Sequence, residues 1–188
     1  MIDIHSHTTY SDGSFSVKEL LNEAERIGLS LLSITDYNTI DAYYEIKDSN
    51  IRNIFSGNII SGTEITTTYK GETIEVLGYG FELEKMKHFL NSNVLTFEEK
   101  QIKEYELDGL ECFYTTFTEE QSNYLINLCK ERQMYMSGGS DFHGTRKVNH
   151  NLGIGHDNLS IDETIIKSWI NKYIPNFNEL KNKKKTKS

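Results

Sequence analysis

The sequence is short of residues that cross-link, break or embed a chain. Its 188 residues hold one proline and two cysteines, and no apolar run approaches the roughly 20 residues of a membrane-spanning helix. Two cysteines, Cys112 and Cys129, cannot build a disulfide framework, so they read as reduced thiols of a cytoplasmic protein. The opening MIDIHSH has neither the basic segment nor the apolar one of a signal peptide, and no membrane partner is expected. Basic residues are also scarce, 20 against 28 acidic, for a net charge of −8. Five of the lysines fall in residues 181–187, leaving 15 basic residues elsewhere. So acidic a body argues against duplex DNA, whose phosphates require a basic footprint. It suits cations, because clustered carboxylates are relieved by a metal among them. What is present excludes a disordered chain: 37% of residues are hydrophobic and 11% aromatic.

With no Gly/Ser-rich linker, residues 1–180 read as one domain and residues 181–188 as a lysine-rich flexible tail. Short apolar runs predict strands at Ile2–His5, Leu29–Ile34, within Ile51–Thr68, and at Thr73–Tyr79, Gly109–Tyr114 and Met134–Gly138. Ser16 with Glu19, and Thr118 with Gln121, each open a helix with a capping box, and Gly28 ends the first of these. Further helices are predicted over Asn38–Lys47 and Asp162–Tyr173, and residues 82–105 are helical in part. Strand and helix in repeated order argue for an α/β fold with a largely parallel sheet or barrel.

Three polar clusters each sit where a predicted strand ends, the rim on which parallel α/β proteins assemble sites. They are His5-Ser6-His7 with Asp12, Glu64 after the apolar Ile59-Ile60, and Asp141-Phe142-His143 after the glycine pair Gly138-Gly139. Residues two apart on a strand share a side, so His5 and His7 can reach one cation. The glycine pair reads as licence for a tight backbone turn. Imidazoles mixed with carboxylates suit Zn, Mn or Fe(II) better than Ca or Mg. Taken singly, each cluster has a plainer reading as a turn, a helix cap or a solvated strand end; taken together they point to a metal centre.

These stretches resemble the PHP (polymerase and histidinol phosphatase) superfamily of metal-dependent phosphoesterases. The resemblance rests on IDIHSHTTYSDG from residue 2, ISGTEITT at 60–67, IEVLGYG at 74–80, LDGLECFY at 107–114, SGGSDFHG at 137–144 and NLGIG at 151–155. It implies a distorted (β/α)7 TIM-like barrel, incomplete here because residues 80–107 are too short for the usual helical insertion and its following strand. It also implies a first metal on His5, His7, Glu64 and Asp141, and a second on Asp12 and His143. The family's Thr-Asp-His segment is Thr35-Asp36-Tyr37 in this chain, so Tyr37 ligates weakly, bonds a metal-bound water, or packs. A further ligand position, histidine in the family, is Glu75, and no His-Pro occurs to supply another.

One to three divalent transition ions are thus expected, with the first site complete. The expected reaction is attack of a metal-activated water on a small phosphorylated substrate, a nucleotide or short oligonucleotide by preference. Asp12, Asp36 or His143 would serve as acid or base, and Arg146 and Lys147 would hold a substrate phosphate. The competing readings are a catalytically silent metal-binding or ligand-sensing module and a metal-free interaction domain.

Overall fold

The computed structural model of the chain describes residues 1–69, 71–91, 108–175 and 177. The expectations for residues 92–105 and for the 181–188 tail lie outside these. In order, the elements are β1 (Ile2–Asp3), α1 (Val17–Arg26), β2 (Leu31–Leu32), α2 (Asp41–Ile46), α3 (Ser49–Arg52), β3 (Asn58–Ile59), β4 (Gly62–Tyr69), β5 (Glu72–Tyr79), α4 (Leu83–Asn91), β6 (Gly109–Tyr114), α5 (Glu119–Arg132) and β7 (Tyr135–Gly139).

Local chemistry explains the best-defined helices. Ser16 accepts from Glu19 N while the Glu19 carboxylate accepts from Ser16 N, a reciprocal cap that contributes about 1 kcal/mol. Val17, Leu20, Leu21 and Ala24 form the buried stripe of α1. The helix ends in a Schellman motif: Gly28 takes φ +71°, Gly28 N donates to Glu25 O and Leu29 N to Ala24 O. Thr118 and Gln121 cap α5 in the same reciprocal way.

β1, β2 and β3 form a parallel sheet, β6 and β7 a parallel pair, and β4 and β5 an antiparallel hairpin in place of the largely parallel arrangement expected. Among the described residues these ladders do not close into a barrel. The strand ends are nevertheless joined. Asp141 N donates to His5 O at 2.9 Å, His7 N to Phe142 O at 2.8 Å, and Glu64 N to Thr35 O at 3.1 Å. The C-terminal ends of β7, β1 and β2 therefore lie side by side, with the start of β4 next to them. Alternation puts Leu32 into one core with α1 and α2, and Leu31, Ile2 and Ile4 into another with Ile161, Trp169 and Phe177.

Three expectations are corrected. Residues 51 and 52 are helical, because Asp48 caps α3 and the Arg52 guanidinium satisfies Phe55 O and Gly57 O. Residues 162–173 form two 3₁₀ turns, Glu163–Ile166 and Ile170–Lys172, where the β-branched run Thr164-Ile165-Ile166 disfavours an α-helix. The glycine pair makes no turn: both residues lie in β7, and a Cβ on Gly139 would meet His5 Cβ and N at 2.4 Å. Close approach of β7 to β1 demands glycine there, and the left-handed turn falls on Asp141, at φ +53°.

Candidate metal centre

The joined strand ends gather five of the eleven predicted site residues into one buried group. His5 and His7 extend β1, Glu64 sits on β4, and Asp141 and His143 follow β7; all five are at most 4% exposed. Glu64 Oε2 lies 3.1 Å from both His5 Nε2 and His7 Nε2. Asp141 Oδ1 lies 3.5 Å from His5 Nε2, 3.4 Å from His7 Nε2 and 3.3 Å from His143 Nδ1. Two sets of three ligand atoms fall within 4.8 Å of one another, His5–His7–Glu64 and His7–Asp12–His143, with His7 in both.

The donor set fits a cation on an observation independent of sequence. His7 Nε2, Asp141 Oδ1, His143 Nε2 and Asp12 Oδ1 are buried atoms without a hydrogen-bond partner. Such atoms are costly unless something binds them. His143 shows the logic. Its Nδ1 lies 2.8 Å from Asp141 O, a carbonyl that can only accept, so Nδ1 carries the proton. Burial, followed by the nearby His7, pushes its pKa down and keeps the ring neutral. Nε2 is then a lone pair 3.0 Å from Asp12 Oδ1, a repulsive pairing that a cation relieves.

His5 lies between two carboxylates, Glu64 at Nε2 and Glu111 at Nδ1, 3.0 Å away. Burial opposes its charge, but Glu111 and Glu64 outweigh burial and raise it well above the usual imidazole value. Burial likewise opposes charge on Glu64, yet His5 and His7 bring it down to about 2 from 4.5. A carboxylate depressed on folding contributes stability above about pH 4.5 and loses it as pH falls toward about 2. In chelator-treated protein, Glu64→Gln should therefore melt below wild type near neutral pH. The two melting curves should converge as acid passes through that window, and a gap constant down to about pH 3 would contradict the assignment.

The remaining predicted residues lie at different distances from this group. Asp12 is 48% exposed in its side chain but turns Oδ1 inward to His143 and, at 3.6 Å, to His7 Nδ1. Tyr37 lays its ring on His7, centroids 4.7 Å apart, and burial followed by Glu64 and Glu75 raises its hydroxyl far above the phenol norm. Glu75, on β5, has its carboxyl pushed up by burial and then by the charge of Glu64. Asp36 faces elsewhere: it accepts from Thr8 N at 2.7 Å and from the Thr8 and Ser11 hydroxyls at 2.6 Å, which anchors the loop bearing Asp12. Lys147 Nζ sits 2.5 Å from Asp141 Oδ2, while Arg146 is exposed. Sequence reasoning missed Glu111 and Tyr114, whose hydroxyl donates to Asp141 Oδ2 at 2.7 Å. The available signal was a carboxylate inside the apolar run GLECFY.

The PHP domain family model matches residues 3–138. The chain belongs to the PHP domain family. The 5′-3′ exoribonuclease Rnm of Escherichia coli (strain K12) is 32% identical over 81 residues, 43% of this chain and 28% of that protein. A 5′-3′ exoribonuclease of Haemophilus influenzae is 33% identical over 84 residues, with the same shares covered. The match thus spans little more than a quarter of these relatives. A candidate metal-dependent phosphoesterase from Bifidobacterium adolescentis superposes with a TM-score of 0.69 at 16% identity, over 94% of this chain and 98% of that one. An amidohydrolase from Chromobacterium violaceum, solved with sulfate and no metal, gives 0.62 at 13% identity, over 81% of this chain and 89% of its own. Both likenesses show a shared mixed α/β fold. The chain is accordingly a PHP-domain protein, and no helix among its described residues is long and apolar enough to cross a membrane.

Proposed function

We propose that this PHP domain hydrolyses a small phosphorylated substrate, with a nucleotide or short oligonucleotide the favoured class. The observation that carries the reading is the convergence of His5, His7, Glu64 and Asp141, two of whose facing atoms, His7 Nε2 and Asp141 Oδ1, are buried and unpartnered. The exoribonuclease relatives favour a nucleotide, and the acidic composition favours a short strand over a duplex. A divalent transition metal (Mn, Zn or Fe), one to three ions per chain, would be held by these four residues with Asp12 and His143 beside them; bound there, it neutralises phosphoryl charge and acidifies a water.

The protein's own groups divide the remaining work. Neutral His143, fixed through Nδ1–H, presents Nε2 beside Asp12; this pair would hold a second ion, and with a single ion bound at the first cluster it is assigned the movement of the proton. Asp36 holds the Thr8–Ser11 loop and so positions Asp12. Lys147, already at the carboxylate rim, and Arg146 supply positive charge to a substrate phosphate. Tyr37 shields one face of His7, and Glu75, paired with Thr66 on the β4–β5 hairpin, supplies a carboxylate for an altered further position. We also read residues 1–180 as one incomplete PHP barrel, and the two free thiols as fitting the cytoplasm.

The test is hydrolysis by the purified chain across nucleoside monophosphates, short oligoribonucleotides and base-free phosphate esters. Activity should need Mn(II), vanish with EDTA and return when the metal is restored. The second reading, a silent metal-binding module, is favoured by Tyr37, a phenol held protonated beside His7. Stoichiometric Mn(II) with no turnover on any substrate would select it.

A further inference from the structure

β6 contributes no residue to either ligand cluster, yet two of its side chains end on ligands. Glu111 Oε1 lies 3.0 Å from His5 Nδ1, and the Tyr114 hydroxyl donates to Asp141 Oδ2 at 2.7 Å. Residues three apart on a regular strand point to opposite faces. Here the register breaks: Glu111 pairs with Ser137, Phe113 with Gly138 and Tyr114 with Gly139, leaving Cys112 as the extra residue of a bulge. Ser137 and Gly139 are two apart and share a face of the pair, so their partners Glu111 and Tyr114 share it too. Cys112 is fully buried against α5, its Sγ 3.6 Å from Cys129 Sγ, and Phe113 packs into the core beside Ile161 and Trp169.

We infer that Glu111 and Tyr114 are positioning residues, aligned by the bulge at Cys112, which orient His5 and Asp141 from behind. The inference rests on the metal centre proposed above. Glu111 accepts the proton of His5 Nδ1, which leaves Nε2 as the ligating atom and fixes the ring plane. Tyr114 and Lys147 together occupy Asp141 Oδ2, so the carboxylate offers only Oδ1, the oxygen that faces the imidazoles. One ligand-free strand thereby sets the aim of ligands on both β1 and β7.

Titration of the full chain with Co(II), followed by visible absorption, tests this without relying on turnover. Glu111→Gln and Tyr114→Phe, each nearly isosteric, should weaken Co(II) binding about 10- to 100-fold and shift the Co(II) bands. Melting of the chelated proteins should stay near wild type. Phe117→Ala, whose ring rests on Tyr114 at 5.3 Å, should leave both the affinity and the bands unchanged. If Glu111→Gln does not fold, Tyr114→Phe, which removes a single oxygen, decides alone. Wild-type affinity and spectrum in either variant overturn the role of that residue, and in both they overturn the inference while the metal centre stands. Failure of wild type to take up Co(II) overturns the metal centre itself and this inference with it.

Discussion

Replacing His7 by alanine should abolish metal-dependent hydrolysis and most metal uptake in one step. His7 is fully buried and belongs to both ligand clusters. Nε2 faces Glu64 and Asp141, while Nδ1 lies 3.6 Å from Asp12, so one substitution disarms both sides. The ring is also a packing element, stacked on His143 at 4.1 Å and tilted against Tyr37 at 4.7 Å, so its loss slackens two neighbours. Charge stabilisation by a bound ion amounts to several kcal/mol, which puts the fall in kcat/KM near three orders of magnitude. Asp12→Ala touches only the second cluster through a partly exposed side chain, and should cost about 10- to 100-fold. Steady-state kinetics at saturating Mn(II), with metal content measured on the same samples, separate the two. Equal losses in both variants would mean that His7 is not the shared residue its position suggests.

How far this centre can be read from sequence depends on how local each cause is. The two capping boxes are legible because Ser16 with Glu19, and Thr118 with Gln121, act within one turn of their own helix. β6 is legible over its full length because GLECFY is an apolar run bounded by polar residues. The spacing of His5 and His7 is legible for the same reason, period two along one strand. What escapes is set by partners distant in sequence. Gly139 looks like a turn residue until β1 arrives against it, and the Thr8 and Ser11 hydroxyls that Asp36 accepts from lie far from it in sequence. Glu111 is harder still, because its face depends on a one-residue slip against Ser137 and Gly138 that no pattern within β6 announces.

Asp3→Ala should be the most destabilising single change near the centre, although Asp3 reaches no ligand side chain. The carboxylate is fully buried and accepts from His5 N at 3.2 Å, Ser140 N at 3.0 Å, Gly153 N at 2.7 Å and the Ser140 hydroxyl. It thereby ties β1, the end of β7 and the 151–155 loop to one point. Alanine strands these donors, and each buried unsatisfied group costs about 1–3 kcal/mol, so a loss of about 4 kcal/mol is expected. That is a large part of the 5–15 kcal/mol typical of a domain, and it should lower Tm by roughly 10 °C or more. Asparagine restores one acceptor but turns an amide donor toward the N–H groups, so Asp3→Asn should fall between alanine and wild type. Urea unfolding of chelated protein measures the loss, and a difference below about 1 kcal/mol would show that the three segments hold together without the knot. Metal adds a second readout. At about 100-fold excess over Kd a ligand stabilises the native state by about 2.7 kcal/mol. His5 and Asp141 each adjoin a backbone group that Asp3 fixes, so Asp3→Ala should regain less stability from a given Mn(II) concentration than wild type gains. A variant that recovered the full increment would place the alignment of the ligands elsewhere, in β6 alone.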